Sequence, residues 1–121
     1  MKIFSMHNFK KLNIWSNAMV LAKEVYLVTS KYPKQEKYGL VSQINRCSVS
    51  VPSNIAEGSS RSSNKEFSHF VKIALGSLFE LETQIILSHE FEIIENQDLN
   101  NLIEKIVILQ KMLNGFLTTL K

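Results

Sequence analysis

Residues 38–67, YGLVSQINRCSVSVPSNIAEGSSRSSNKEF, hold two helix signals joined by one turn. Leu40, Ile44, Cys47, Ser48, Val51 and Ile55 recur at steps of three and four, the spacing of one helix face. A helix over about 38–57 follows. Pro52 stands inside it. A proline removes the hydrogen bond to the carbonyl four residues back, here Ser48, and crowds that turn, at about 3 kcal/mol or more. Either a kink or a break near Ser50 would answer that cost. The apolar stripe keeps its phase across the proline, so a kink is expected. Gly58 is the expected left-handed cap. Gly58–Ser62 forms the turn, and Ser63 with Glu66 three residues on has the capping-box spacing that opens another helix.

The same period continues outward. A first helix over about 12–31 carries two adjacent stripes. One is Leu12, Trp15, Met19, Ala22 and Tyr26; the other is Ile14, Ala18, Leu21, Val25 and Val28. It ends at Tyr32-Pro33, because proline disfavours helical geometry in the residue before it. Lys34–Lys37 is a polar connector. The third helix spans about 64–91, with Phe67, Phe70, Val71, Ala74, Leu78, Leu81 and Ile85 in phase. Glu92–Gln97 is the next connector, with Asn96 the expected N-cap. The fourth helix, about 98–120, presents Leu99, Leu102, Ile103, Ile106, Leu109, Leu113, Phe116, Leu117 and Leu120. Short connections between long amphipathic segments predict an all-α fold: an antiparallel up-down-up-down four-helix bundle, kinked at Pro52, in one domain over 1–121.

Composition agrees. At 121 residues and 45% hydrophobic, the chain makes one ordered domain. Four glycines and two prolines are too few for a β-sandwich or barrel with a turn every few residues. A single cysteine excludes an internal disulfide and a multi-cysteine zinc site. Met1–Lys11 has no apolar core of signal-peptide length, and no window approaches a membrane span. A cytoplasmic protein with no membrane partner and a reduced Cys47 is expected.

Charge is distributed unevenly. Residues 1–72 carry eleven Lys and Arg against four Glu, a balance of +7. Residues 73–121 carry three Lys against seven Asp and Glu, a balance of −4. Such asymmetry fits a polyanion-binding face. It equally fits two halves packed on each other, or protomers assembled head to tail. The candidate nucleic-acid contacts are Lys10, Lys11, Lys31, Lys34, Lys37, Arg61 and Lys65.

No catalytic, metal or cofactor constellation emerges. His7, His69 and His89 read as surface or helix-end residues, and the last two lie about 30 Å apart on one helix. There is no HExxH pattern and no phosphate-binding glycine loop. Cys47 sits in the apolar stripe and reads as a small core hydrophobe. The chain reads as a non-enzyme. One polar feature is organised: Gln43, Arg46, Ser50, Asn54 and Glu57 align on one helix face. Ser77, Glu80 and Gln84 offer a counterpart on the third helix. Folding the two helices together brings Arg46 within a few turns of Glu80. The arrangement reads as a hydrogen-bonded network, inside one protomer or at an interface, ahead of a ligand-lined groove.

The run YPKQEKYGLVSQINRCSVSVPSNIAEGSSRSSNKEF, followed by FVKIALGSLFELETQI, resembles the four-helix-bundle proteins encoded in intervening sequences of bacterial 23S ribosomal RNA genes. FKKLNIWSNAMVLAKEVYLVT is similar to that family's first helix, and the resemblance runs from about Phe9 to Leu117. Related proteins are accessory variability determinants of diversity-generating retroelements. The resemblance implies a basic pentameric ring that binds RNA or DNA, with a reverse transcriptase as a protein partner. The alternative reading is an oligomeric scaffold for such a partner, without nucleic-acid affinity. The resemblance also implies that Pro52 lies within a kinked helix. Asn45 stands where the family often has a further basic residue. Surplus apolar surface, in the double stripe of the first helix and at Leu102-Ile103 and Phe116-Leu117, independently predicts a homo-oligomer. The number five comes only from the resemblance.

Overall fold

A computed structural model describes residues 8–121; His7 lies outside them. Four helices carry the fold: α1 (Asn13–Thr29), α2 (Leu40–Ser59), α3 (Asn64–Glu90) and α4 (Asn96–Thr119). Short 3-10 turns precede α1 (Phe9–Lys11) and α2 (Lys34–Glu36). Among the described residues there is no strand.

The core forms where the four stripes meet. Ala18, Leu21 and Val25 of α1 face Ile44, Val51 and Ile55 of α2, Val71, Leu78 and Ile85 of α3, and Leu102, Ile106 and Leu113 of α4. Of the two stripes on α1, the one through Ile14, Ala18 and Leu21 is buried, whereas Met19 and Tyr26 of the other are exposed. Each helix packs on its sequence neighbour, and α1 also packs on α4. The pairings run in opposite senses along neighbouring helices. Lys31 meets Asp98 while Glu24 meets Lys105, and Ser50 meets Ser77 while Gly58 lies against Phe67.

α2 passes through Pro52 as one helix, with no loop between Ser48 and Asn54. The energetic reason is burial on both sides of the proline. Ile44, Cys47, Val51 and Ile55 are all buried, at about 1.5–3 kcal/mol for each large aliphatic side chain. Together they outweigh the roughly 3 kcal/mol that an internal proline costs.

Three expectations need correction. Gly58 is not a left-handed cap: no glycine has positive φ, and α2 runs on to Ser59. Its role is close approach. A Cβ there would lie 2.8 Å from Phe67 Cδ1 and 2.8 Å from Phe70 Cβ. Asn96 is not the N-cap of α4; Glu95 takes that position with extended backbone. The Asn96 side chain is engaged by His89, at 3.0 Å from Nε2 to Oδ1. The surplus apolar surface is in place on α1, where Met19 and Tyr26 are exposed, but not at the expected pairs of α4. Ile103, Phe116 and Leu117 pack against the core, while Val20, Leu27, Phe79 and Ile108 are exposed.

The helix ends otherwise follow local chemistry. Ser63 Oγ accepts from the Glu66 N–H at 3.1 Å, capping α3. α3 ends in a Schellman turn, where the Ile93 N–H donates to the Ser88 carbonyl and the Glu92 N–H to that of His89, both at 2.9 Å. Glu92, at φ 59°, occupies the left-handed position usually given to glycine.

Candidate nucleic-acid interface

The seven candidate basic residues separate into two groups. Lys31, Lys34 and Lys37 follow α1 and lead into α2. Lys10 and Lys11 precede α1, and Arg61 and Lys65 follow α2, at the other end of the bundle. α1 has 17 residues, so the groups stand about 25 Å apart at 1.5 Å per residue. Sequence position hid this, because a helical hairpin brings residue 10 beside residue 60 and not beside residue 31.

Within each group one charge is paired and the others are free among the described residues. Lys31 Nζ donates to Asp98 Oδ2 at 2.6 Å, joining α1 to α4. That hydrogen bond holds its ammonium above the ordinary lysine range. Arg61 donates to Glu57 at 2.7 Å and lies 4.7 Å from the centroid of the Phe70 ring. Lys10, Lys11, Lys34, Lys37 and Lys65 are exposed and have no ion pair among the described residues. The only ion pairs there between the basic and acidic portions of the chain are Lys31–Asp98 and Glu24–Lys105. Internal packing therefore leaves most of the basic surplus unneutralised.

Around Lys34 and Lys37 the backbone builds a cleft. α1 ends at Thr29, Pro33 holds the chain extended, and the 3-10 turn returns it toward α2. The resulting cleft is about 480 Å³, and its lining residues include Tyr26, Tyr32, Lys34, Lys37, Tyr38 and Asn45. None of its lining residues is acidic. Tyr38 is 89% exposed and Tyr26 64%. Lys37 Nζ sits 5.4 Å from the Tyr38 ring centroid. Thr29 Oγ1 donates to Asn45 Oδ1 at 3.1 Å, tying the floor of the cleft to the end of α1. The tyrosines were not among the candidate residues, because stacking geometry depends on the turn that brings Tyr26 and Tyr38 to one cleft. The alternation of Tyr and Lys over residues 26–38 was the available signal.

The polar face of α2 divides into parts. Ser50 and Ser77 hydroxyls lie 2.9 Å apart across the α2–α3 contact, and the Asn54 amide donates to the Ser50 carbonyl at 2.8 Å. Glu57 is taken by Arg61. Gln43 and Arg46 are exposed, and Arg46 has no ion pair to Glu80. Glu80 stands instead beside Cys47. Burial first, and the Glu80 carboxylate second, push the Cys47 thiol up to about 12. That thiol stays protonated at neutral pH and is a poor nucleophile. His69 stacks edge-on with Phe70 at 5.5 Å. Among the described residues, no group of three or more His, Cys, Asp or Glu gathers as a metal site. No helix there is long and apolar enough to cross a membrane.

A family model described as 23S rRNA-intervening sequence protein matches residues 10–115. Among solved structures, the chain is similar to a crystal structure, at 1.70 Å resolution, of a protein with unknown function from the S23 ribosomal protein family of Bacteroides thetaiotaomicron VPI-5482. The two are 20% identical, the match covers 86% of this chain and 97% of that one, and the TM-score is 0.78. At that identity the likeness concerns the fold. No curated protein matches the chain.

Proposed function

Because the chain belongs to the 23S rRNA-intervening sequence protein family, we propose that it is a non-enzymatic, oligomeric protein that binds the RNA or DNA backbone through repeated basic patches. The unneutralised basic surplus carries this reading: five exposed lysines at the two ends of the bundle have no ion pair among the described residues. One protomer offers few phosphate contacts. A ring repeats them, and five copies of a chain of net charge +3 carry +15. Linked weak contacts then give avidity beyond any single patch. Each neutralised phosphate steepens the salt dependence by about 0.9 in log K per log salt on duplex DNA. The test is a salt titration of binding to structured RNA and duplex DNA. Affinity should fall steeply between about 50 and 200 mM salt. Absence of binding at the low-salt end rejects the reading.

Exposed Val20, Leu27, Phe79 and Ile108 favour self-association or a protein partner. The resemblance to accessory variability determinants supports a closed pentamer and a reverse transcriptase as that partner. A ring leaves no open end to aggregate. Light scattering tests assembly: a mass near 13.9 kDa would reject it, and a dimer or tetramer would discard the pentamer. A stable ring that ignores nucleic acid at low salt would leave the scaffold reading.

A further inference from the structure

We propose that the cleft between the end of α1 and the start of α2 binds an unpaired nucleotide of a single strand, its base stacked on Tyr26 or Tyr38 and its phosphate held by Lys34 and Lys37. This rests on the nucleic-acid reading above and names the form of nucleic acid it takes. Four observations converge. The first is size: about 480 Å³ falls within the roughly 300–1,000 Å³ of small-ligand sites.

The second is aromatic exposure. Tyr38 leaves 89% of its surface in water, and its only aromatic or cation–π contact among the described residues is with Lys37. A ring held in the open at the lip of a cleft contributes little to the core, yet it offers a face on which any base can stack. Tyr26 offers a second face on the same cleft.

The third is charge. Lys34 and Lys37 line the cleft, no carboxylate does, and neither lysine has an ion pair among the described residues. Aromatic faces with unpaired cations are the pairing that single-strand sites use, whereas a duplex hides its base faces in the stack. The fourth is a polar edge. Asn45 is anchored on one side by Thr29 and lines the cleft, so its amide stands where a base edge would come. A partner protein would need an acidic segment to match the same lysines, and it would not discriminate a base from an abasic sugar.

The experiment measures binding of fluorescent ten-nucleotide oligo(U) and oligo(dT), an abasic strand of equal length and a duplex of matched charge. Preference between the first two identifies RNA or DNA as the source of the nucleotide. At least one of Tyr38→Ala and Tyr26→Ala should weaken single-strand binding by about 5- to 150-fold, the effect of losing one stacked base. Duplex and abasic binding should not change, and Tyr38→Phe should retain single-strand affinity. The double change Lys34→Ala, Lys37→Ala should weaken every probe and lower the single-strand salt slope by about 1.4. Both tyrosines are exposed, so melting temperature should hold.

Tyrosine variants that bind single strands as the original chain does would overturn the proposal. So would an original chain that binds duplex and not single strands; in either case the backbone-binding reading stands. Failure of the original chain to bind any of the four probes would remove both. A change in assembled mass on Tyr38→Ala would show the cleft to be a contact between copies, and overturn the proposal as well.

Discussion

Gly58→Ala should destabilise the protein although it replaces a helical glycine. At an ordinary helical site the change gains about 0.5–1 kcal/mol, because alanine loses less backbone entropy on folding. At Gly58 the new methyl would stand 2.8 Å from Phe67 Cδ1 and 2.8 Å from Phe70 Cβ. The Phe67 ring can turn. The Phe70 Cβ is fixed to the α3 backbone, so the first turn of α3 must move away from α2. Overpacking of that kind costs about 1–3 kcal/mol, which after the propensity gain leaves a net loss of about 1 kcal/mol at mid-range and up to about 2.5 kcal/mol. With unfolding entropy near 2.1 cal/mol/K per residue, each kcal/mol shifts the melting temperature of a chain this long by about 4 °C. Calorimetry should therefore show a fall of about 5 °C, and at most about 10 °C. Gly76→Ala and Gly115→Ala are the controls. Both lie inside helices with nothing within 4 Å of the added methyl, and both should raise the melting temperature by about 2–4 °C. If Gly58→Ala melts at or above the original chain while the controls rise, close approach of α2 and α3 is the wrong account of this glycine.

Cys47 should resist iodoacetamide at pH 8 in the native state and react once the chain is unfolded. Its thiol rises from the ordinary 9.0 to about 12 on folding. Between those values the folded state holds a proton that the unfolded state has lost, so stability should decline from pH 9 to about 12; Cys47→Ala should reduce that decline and leave the part that buried Tyr32 contributes above pH 10. Arg46→Ala should leave melting within about 0.5 kcal/mol, since Arg46 is exposed and has no ion pair among the described residues. A larger loss would return it to an interior polar role. Ser77→Ala breaks the hydroxyl pair with Ser50 and should cost about 0.5–1.5 kcal/mol by urea denaturation. Glu92→Gly relieves a left-handed residue at φ 59° and should stabilise by up to about 1 kcal/mol; unchanged or lower stability would show that the Glu92 side chain compensates.

The four helices were legible in the sequence because helical periodicity is local: each stripe reports its own burial without reference to its partner. Ser63 was equally legible as a cap, since side chain and backbone donor lie three residues apart. Pro52 marked a local penalty, but whether the helix survived depended on the burial of Ile44, Val51 and Ile55 against other helices. The same limit explains Gly58, whose need for a small side chain comes from Phe67 and Phe70. It also explains Asn96, drawn off its capping role by His89.

The candidate site divides in the same way. The sequence determined by itself that the chain is helical, that its first 72 residues carry the positive charge, and that Cys47 lies on an apolar face. Only the tertiary structure decided which charges stay free, because Lys31 is answered by Asp98 and Arg61 is engaged by Glu57 and the Phe70 ring. It also placed the remaining lysines at two ends of the bundle and opened Tyr26 and Tyr38 onto one cleft. Periodicity and charge are properties of a segment and its neighbours along the chain. Pairing, close approach and concavity arise between segments far apart in number, and they exist only once the helices have packed.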